Sequence, residues 1–117
     1  LAGPGDRPLR VIGHLIDHYL GCAGAPAGPW LTGGGGLTAD WQEASARLPR
    51  LFSLGYGVAE DEGVDEGEYF ARSLAIYCLD RGRLNVMDPQ IDKWFRSVLW
   101  NESLWRRTLD FMGGANA

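Results

Sequence analysis

The stretch DEGEYFARSLAIYCLDR, residues 65–81, decides the fold. Its apolar side chains point in nearly every direction around a helix, and a helix that is apolar all round is buried. They are Phe70, Leu74, Ile76, Tyr77, Cys78 and Leu79. Asp65 followed by Glu68 is the signature of a capping box, and Gly82 is a typical helix stop. We therefore predict a central helix from about Glu66 to Arg81.

Other segments have the period of helices that pack around this one. Residues 8–20 begin with proline, end before Gly21 and carry an apolar stripe that should face the core. The stripe is Leu9, Ile12, Leu15, Ile16, Tyr19 and Leu20. Thr38 is a helix N-cap residue, and Pro49 predicts a kink in the helix that follows it. Asp88 with Pro89 is a strong start signal for a further helix.

Three of the five tryptophans, Trp94, Trp100 and Trp105, lie within twelve positions of the C-terminal segment. Two arrangements are open. If one helix runs through Asn101, then Trp100, Leu104 and Phe111 lie opposite the core stripe and are exposed. If Asn101 caps a separate fifth helix, these residues turn into the core.

The sequence therefore predicts an all-α fold, a single domain over residues 1–117 with four to five helices. A long glycine-rich loop, residues 21–37, joins the first two helices and holds seven glycines and two prolines. Trp30 and Leu31 interrupt it, which indicates that its middle is pinned to the body or to something else. Residues 1–7 and 113–117 are expected to be flexible.

Charge and composition limit the function classes. Six acids and no base lie between Glu60 and Glu68, which leaves nine acids against eleven bases elsewhere despite the net charge of −4. The acids do not follow the calcium-loop pattern, so a solvated acidic loop is expected. Two cysteines are too few for a disulfide framework, and no run of apolar residues is long enough to span a membrane. We expect a cytoplasmic protein without a membrane segment. Because the chain opens on leucine, we also expect a processed precursor or a piece of a longer protein.

No motif predicts catalysis, a metal site or a cofactor. His14, His18 and Cys22 have ligand-like spacing, but eight helical residues span about 12 Å, which is too far for one ion. Gly33 to Gly36 lack the lysine of a phosphate-binding loop. Nothing in the sequence pairs a nucleophile with a base. We expect a protein that is not an enzyme.

The surplus of aromatic residues near arginines is typical of a binding surface. We predict an interaction module that binds a protein partner, or a second copy of itself, through the C-terminal helical surface. The predicted contact residues are Trp100, Leu104, Arg96, Arg107, Phe111 and Trp30. The alternative is an accessory nucleic-acid-binding regulator that uses the arginines and tryptophans of the same segment, although a pI near 5.0 disfavours it.

Overall fold

Helices form the secondary structure of residues 6–115, the part of the chain that this computed structural model describes, and no β-strand occurs there. The α-helices are α1 (Asp6–Cys22), α2 (Ala39–Ser45), α3 (Leu48–Ser53), α4 (Glu66–Leu79), α5 (Arg81–Met87), α6 (Pro89–Trp94) and α7 (Glu102–Ala115). Two 3-10 turns (Leu31–Gly33 and Gly57–Glu60) and a π-helical turn (Phe95–Leu99) connect them. The all-α prediction is confirmed, with more and shorter helices than expected.

Helix α4 is the central element, as predicted, although the predicted core residues Cys78 and Leu79 at its end are exposed. Its N-cap Asp65 accepts a hydrogen bond from the Glu68 backbone N–H at 2.8 Å. Eight of its residues are buried: Tyr69, Phe70, Ala71, Ser73, Leu74, Ala75, Ile76 and Tyr77. The helix ends at Leu79 instead of Arg81, because Asp80 leaves the helical conformation and caps α5 through the Arg83 backbone N–H.

Helix α1 crosses α4 at Gly13, where a methyl group would lie 2.9 Å from the Cα of Ala71. This close approach turns the face that holds Gly13, Asp17 and Leu20 into the protein. The predicted core stripe is therefore partly wrong, since three of its side chains, Ile12, Leu15 and Tyr19, are exposed. Val11, which was not part of the stripe, is exposed beside them, and Leu15 is 61% exposed. The glycine decides the buried face because it permits a backbone contact that larger residues would prevent.

The predicted start and kink of the second helix are confirmed. The Thr38 hydroxyl accepts a hydrogen bond from the Trp41 backbone N–H, and the helix breaks into α2 and α3 before Pro49. Asp88 caps α6, with Pro89 as its first residue. These signals are local, so the sequence alone carries them.

The loop at residues 21–37 packs its backbone tightly against itself and against α1. Leu31 is fully buried, and the Leu37 backbone N–H donates to the Leu20 carbonyl at 2.7 Å. A methyl group on Gly21 or Gly35 would clash with the backbone of residues 29–31 or with Pro29. The glycines thus allow close packing, and Leu31 pins the middle of the loop to the core.

The predicted flexible ends divide between described and undescribed residues. Residues 1–5 and 116–117 lie outside the described part of the chain. Residues 6–7 belong to α1 and residues 113–115 to α7, so both helices extend further than the sequence predicted. Within residues 6–115, no helix combines the length and the apolar character needed to cross a membrane.

Candidate interaction surface

The five tryptophans divide into a core group and an exposed pair. Each core indole N–H has an acceptor: Trp41 donates to Thr108 Oγ1 at 2.8 Å, Trp94 to the Ala44 carbonyl at 3.0 Å and Trp105 to the Leu99 carbonyl at 2.6 Å. Trp30 and Trp100 are 37% and 55% exposed. Packing in the core therefore explains the presence of three of the five tryptophans, but it does not explain Trp30 and Trp100.

The π-helical turn places Trp100 at the surface. Its backbone N–H donates to the Phe95 carbonyl at 3.0 Å, five residues back, and the helix ends there. Asn101 then caps α7 by accepting from the Leu104 backbone N–H at 3.0 Å. The separate-helix alternative is therefore correct, but the turn leaves Trp100 outside while it buries Leu104. Such π turns occur frequently at functional sites.

Trp100 belongs to a connected set of aromatic and cationic side chains, which we call the Trp100 surface: Tyr77, Arg81, Arg96 and Trp100. The Trp100 ring lies 4.7 Å from the Tyr77 ring, centroid to centroid. The Arg81 guanidinium carbon lies 5.2 Å from the centroid of the same tyrosine. The tyrosine ring therefore contacts both an exposed tryptophan and an arginine.

Asp92 is the buried acid that pairs with both arginines of this surface. It is fully buried, and its Oδ2 accepts from Asn85 Nδ2 at 3.0 Å and from Arg96 Nε at 3.2 Å. Its Oδ1 lies 3.7 Å from Arg81 Nε. Two guanidinium groups thus pair with one buried carboxylate, Arg96 through a hydrogen bond and Arg81 through a longer ion pair, so these three groups together carry one net positive charge.

The other predicted contact residues are not brought together here. Leu104 is only 5% exposed, so its predicted surface position is wrong, because the cap at Asn101 rotates it inward. Arg107 pairs with Asp40 of α2 at 3.0 Å, on another side of α7. Phe111 is exposed near the end of α7. Trp30 lies beside α1. Of the six predicted residues, only Arg96 and Trp100 are part of the Trp100 surface.

Sequence reasoning missed Tyr77, Arg81 and Asp92 as members of the site. A signal was present as two four-residue spacings, Asp92 to Arg96 and Tyr77 to Arg81. Asp80 separates Tyr77 in α4 from Arg81 in α5, so the contact of these two residues is not one along a single helix face. The burial of Asp92 had no signal, because a buried aspartate in an aromatic stripe resembles an ordinary solvated acid in sequence.

A second exposed region is the apolar face of α1, formed by Val11, Ile12, Leu15 and Tyr19. The Tyr19 hydroxyl lies 3.7 Å from Met112 Sδ, so the end of α7 adjoins this face. Leu109 and Phe111 of α7 are also exposed.

Trp30 stands at the edge of a cleft between α1, the glycine-rich loop and the start of α4, with a volume of about 620 Å³. We call this the Trp30 cleft. The indole stacks on His18 with centroids 4.4 Å apart, and His18 Nε2 lies 3.0 Å from the Ala25 carbonyl. Phe52 and His14 also line the cleft. The orientation of the Trp30 ring is thus fixed by the loop and by α1.

Two carboxyl groups at this cleft are partly or fully withdrawn from water. Asp17 is fully buried and accepts from the Thr32 backbone N–H at 2.8 Å and the Thr32 hydroxyl at 2.7 Å. Burial raises its pKa against the lowering effect of these bonds. Burial also raises the pKa of Glu66, and the charges of Asp17 and Asp65 add to the effect.

A further buried acid, Asp88, connects two helices. It accepts from the Tyr69 hydroxyl at 2.7 Å and from the Ile91 backbone N–H at 3.2 Å. Burial raises the pKa of Asp88, and burial together with this hydrogen bond raises the pKa of Tyr69. The pair joins α4 to the start of α6.

His14, His18 and Cys22, whose spacing resembles that of metal ligands, make local contacts. His18 stacks on Trp30, and the Cys22 thiol lies 3.4 Å from the His18 carbonyl. His14 Nε2 lies 3.6 Å from Glu68 Oε2. Over residues 6–115, no three histidine, cysteine or acidic side chains are grouped closely enough to hold a metal ion.

No protein-family model, curated protein or solved structure matches this chain.

Proposed function

We propose that this chain is a non-enzymatic interaction module that binds a protein partner through the Trp100 surface. The observation that carries the proposal is the position of Trp100, which is more than half exposed yet packs against Tyr77, the ring that Arg81 also contacts. Tryptophan, tyrosine and arginine are the residues most enriched in binding hot spots. Anchoring before binding lowers the entropic cost of ordering long side chains at an interface.

The chemistry of the surface indicates the chemistry of the partner. Two guanidinium groups share the single Asp92 carboxylate, so a partner carboxylate would meet excess positive charge and the planar donors that arginine offers to it. The Trp100 ring offers an apolar face beside them. We therefore propose an acidic segment that carries an aromatic or leucine side chain.

A nucleic acid is the second candidate, because aromatic rings beside arginines also suit bases and phosphates. The ion pairs of two C-terminal arginines make nucleic acid a weaker candidate than a protein partner. Arg106 pairs with Glu102 at 2.8 Å and Arg107 with Asp40, so part of the predicted basic charge is already engaged. The carboxyl groups of these partners would also face a phosphate backbone.

Self-association is the third candidate, and the apolar face of α1 favours it. A second copy covering Val11, Ile12, Leu15 and Tyr19 would bury the surface that α1 leaves exposed.

The free Cys22 and Cys78 support the predicted cytoplasmic location, since disulfides are rare in that compartment.

The proposal is tested with fluorescent peptides in which aspartate and glutamate flank one phenylalanine, tryptophan or leucine. Fluorescence anisotropy measures their binding to the wild-type protein, and each peptide has a partner in which lysine replaces the acids. We expect binding of acidic peptides alone. A labelled single-stranded oligonucleotide of equal charge is measured beside them over a range of salt concentrations.

Trp100→Ala and Arg96→Ala should weaken acidic-peptide binding, and Trp30→Ala is the matched control at the other exposed tryptophan. Oligonucleotide binding that weakens steeply as salt rises and that depends on Trp100 would show that the Trp100 surface binds nucleic acid instead of a protein. Acidic peptides that bind no better than their lysine counterparts would overturn the proposed partner chemistry. A dimer in sedimentation equilibrium that Leu15→Glu dissociates would assign the apolar face of α1 to a second copy.

A further inference from the structure

We propose that a basic groove between α3 and α6 binds the phosphate group of an organic phosphate monoester. We call it the α3–α6 groove. It consists of two adjoining cavities of about 140 Å³ and about 360 Å³, and Arg47, Leu51 and Gln90 line both of them. Its lining residues belong neither to the Trp100 surface nor to the Trp30 cleft, so the inference goes beyond the interaction function.

Each wall of the groove is one face of a helix. The lining residues of both walls are spaced three, four and seven positions apart, which places their side chains on one side of a helix. The wall formed by α3 and its flanking residues holds Arg47, Arg50, Leu51 and Leu54. The wall formed by α6 and the π turn holds Gln90, Lys93, Trp94 and Ser97. Two segments remote in sequence thus present matching faces to one groove.

The groove has three positive charges and, among the lining residues within 6–115, no negative one. Arg47 and Arg50 come from the α3 wall and Lys93 from the α6 wall. No described acid forms an ion pair with any of the three, whereas Arg72 and Arg106 each pair with an acid at 2.8 Å. A cleft lined by charges of one sign raises the local concentration of the opposite ion. The groove is therefore suited to an anion.

The two acids of the α6 segment contact other groups. Asp88 accepts from the Tyr69 hydroxyl, and Asp92 accepts from Asn85 and Arg96. Both carboxylates are buried, and neither of them lines the groove. The helix that carries Lys93 therefore does not neutralise the positive charge of the groove.

Charge selects a phosphate among the possible anions. A phosphate monoester carries a charge of about −1.5 to −2 at neutral pH, so it offsets more of the three positive charges than a carboxylate does. Arginine donates parallel N–H bonds to phosphate oxygens, and lysine binds phosphate as a point charge. Because Arg47 lines both cavities, a phosphate beside it would meet Arg50 on one side and Lys93 on the other.

The apolar residues of the groove select a phosphate on a carbon skeleton. Leu54 lines the larger cavity and is 45% exposed, Leu51 lines both cavities, and Trp94 lines the smaller one. An aromatic or aliphatic skeleton would cover Leu54 while its phosphate contacts Arg47. A polyanion such as nucleic acid would extend beyond the groove and meet the acids of a protein with a pI near 5.0. The ligand is therefore a phosphate monoester, whether a free molecule or a phosphorylated side chain.

Phenyl phosphate is the probe for a free monoester, and a short peptide with one phosphotyrosine and no other charged side chain is the probe for a phosphorylated side chain. The readout is the set of backbone amide signals of residues 47–54 and 90–94 in a two-dimensional NMR spectrum. We expect phenyl phosphate to shift signals of both segments to saturation, and benzyl alcohol, a neutral analogue, to leave them in place. The tighter of the two phosphate probes identifies the source of the phosphate.

Three variants and one matched control test the residues. Arg47→Gln and Lys93→Gln each remove one charge from the groove and should weaken binding of phenyl phosphate by about tenfold, as loss of a hydrogen bond to a charged group does. Leu54→Ser should weaken binding of phenyl phosphate and leave binding of inorganic phosphate unchanged. Arg83→Gln is the control, because it removes the same charge from an exposed arginine of α5 that does not line the groove. The thermal midpoint of each variant verifies folding.

Absence of shifts in both segments with both phosphate probes would overturn the proposal, and so would equal shifts with benzyl alcohol. Equal weakening by Arg83→Gln and Arg47→Gln would show general attraction of an anion to the protein instead of a site. A single-stranded oligonucleotide that binds the groove more tightly than either phosphate probe would replace the monoester with nucleic acid. The result is independent of the interaction function, because peptide binding at Trp100 is measured with different probes and different variants.

Discussion

Gly13 and Gly67 lie on facing helices, yet the spaces above their Cα atoms differ. At Gly13 an added methyl group would meet the Ala71 backbone at 2.9 Å, whereas at Gly67 every neighbour is 3.5 Å away or more. Alanine is intrinsically better than glycine in a helix by about 1 kcal/mol at both sites. Packing therefore decides whether each glycine-to-alanine substitution raises or lowers the free energy of unfolding.

We predict that Gly13→Ala lowers the free energy of unfolding by about 1 to 3 kcal/mol, because overpacking at a backbone contact outweighs the helix propensity of alanine. Gly67→Ala is the matched control and should raise it by about 0.5 to 1 kcal/mol. Urea denaturation measures both. A Gly13→Ala protein as stable as the wild type would show that α1 and α4 do not approach so closely.

Glu66 provides a prediction about pH. Because the pKa of Glu66 is raised in the folded state, its contribution to stability is fully present below its usual value of 4.5 and is lost as pH rises through the folded value. Asp17 and Asp65 face it from α1 and from the N-cap of α4, and His14 acts on Asp17. These groups remain in both proteins when Glu66→Gln is compared with the wild type.

We expect Glu66→Gln to match the wild type in acid, where Glu66 is protonated, and to become the more stable protein as pH rises to neutral. Thermal or urea unfolding at several pH values measures the difference. A difference that stays constant with pH, or that favours the wild type at neutral pH, would contradict the burial assigned to this carboxyl group.

At the scale of elements, the starts of helices could be predicted from sequence and their faces could not. Thr38, Asp65 and Asp88 each cap a helix as predicted, because a cap depends on residues within one turn. The buried face of α1 depends on Ala71 and Thr32, which are remote in sequence. Periodicity therefore predicted that the isoleucine and leucine stripe of α1 is buried. Tertiary contacts bury the face with Gly13 and Asp17 instead.

The candidate site could be predicted only in part for the same reason. The sequence indicated that Arg96 and Trp100 were available for binding. It left Leu104 open between the surface and the core, because only the structure shows that the helix ends at Trp100 and that Asn101 caps a separate helix.

Helix α7 is joined to α2 by a buried hydrogen bond from Trp41 Nε1 to Thr108 Oγ1. Thr108→Val keeps the shape and removes the acceptor, so we expect a loss of about 1 to 3 kcal/mol in the free energy of unfolding from an unpaired indole N–H. Thr108→Ser retains the hydroxyl and should recover most of the loss. If Thr108→Val is as stable as the wild type while Thr108→Ser is destabilised, the hydrogen bond contributes nothing and the packing of the methyl group accounts for the contact.

At the scale of the whole molecule, α4 separates two surfaces of different chemistry. Its beginning forms the floor of the Trp30 cleft, which is rich in carboxylates, and its end carries Tyr77 beneath the Trp100 surface, where guanidinium groups exceed their partner. The exposed apolar face of α1 is a third feature. This arrangement allows each surface to be disabled by one substitution without disturbing the others.

The most direct test of the interaction function compares Trp100→Ala with the wild type in two measurements on the same sample, the thermal midpoint and the affinity for an acidic peptide. Trp100 is more than half exposed, so its truncation should leave the midpoint nearly unchanged. We predict that binding falls by about tenfold or more, the effect of a hot-spot tryptophan, while Trp30→Ala binds normally. A midpoint several degrees lower with binding retained would show that Trp100 stabilises the fold and that the Trp100 surface is not an interface.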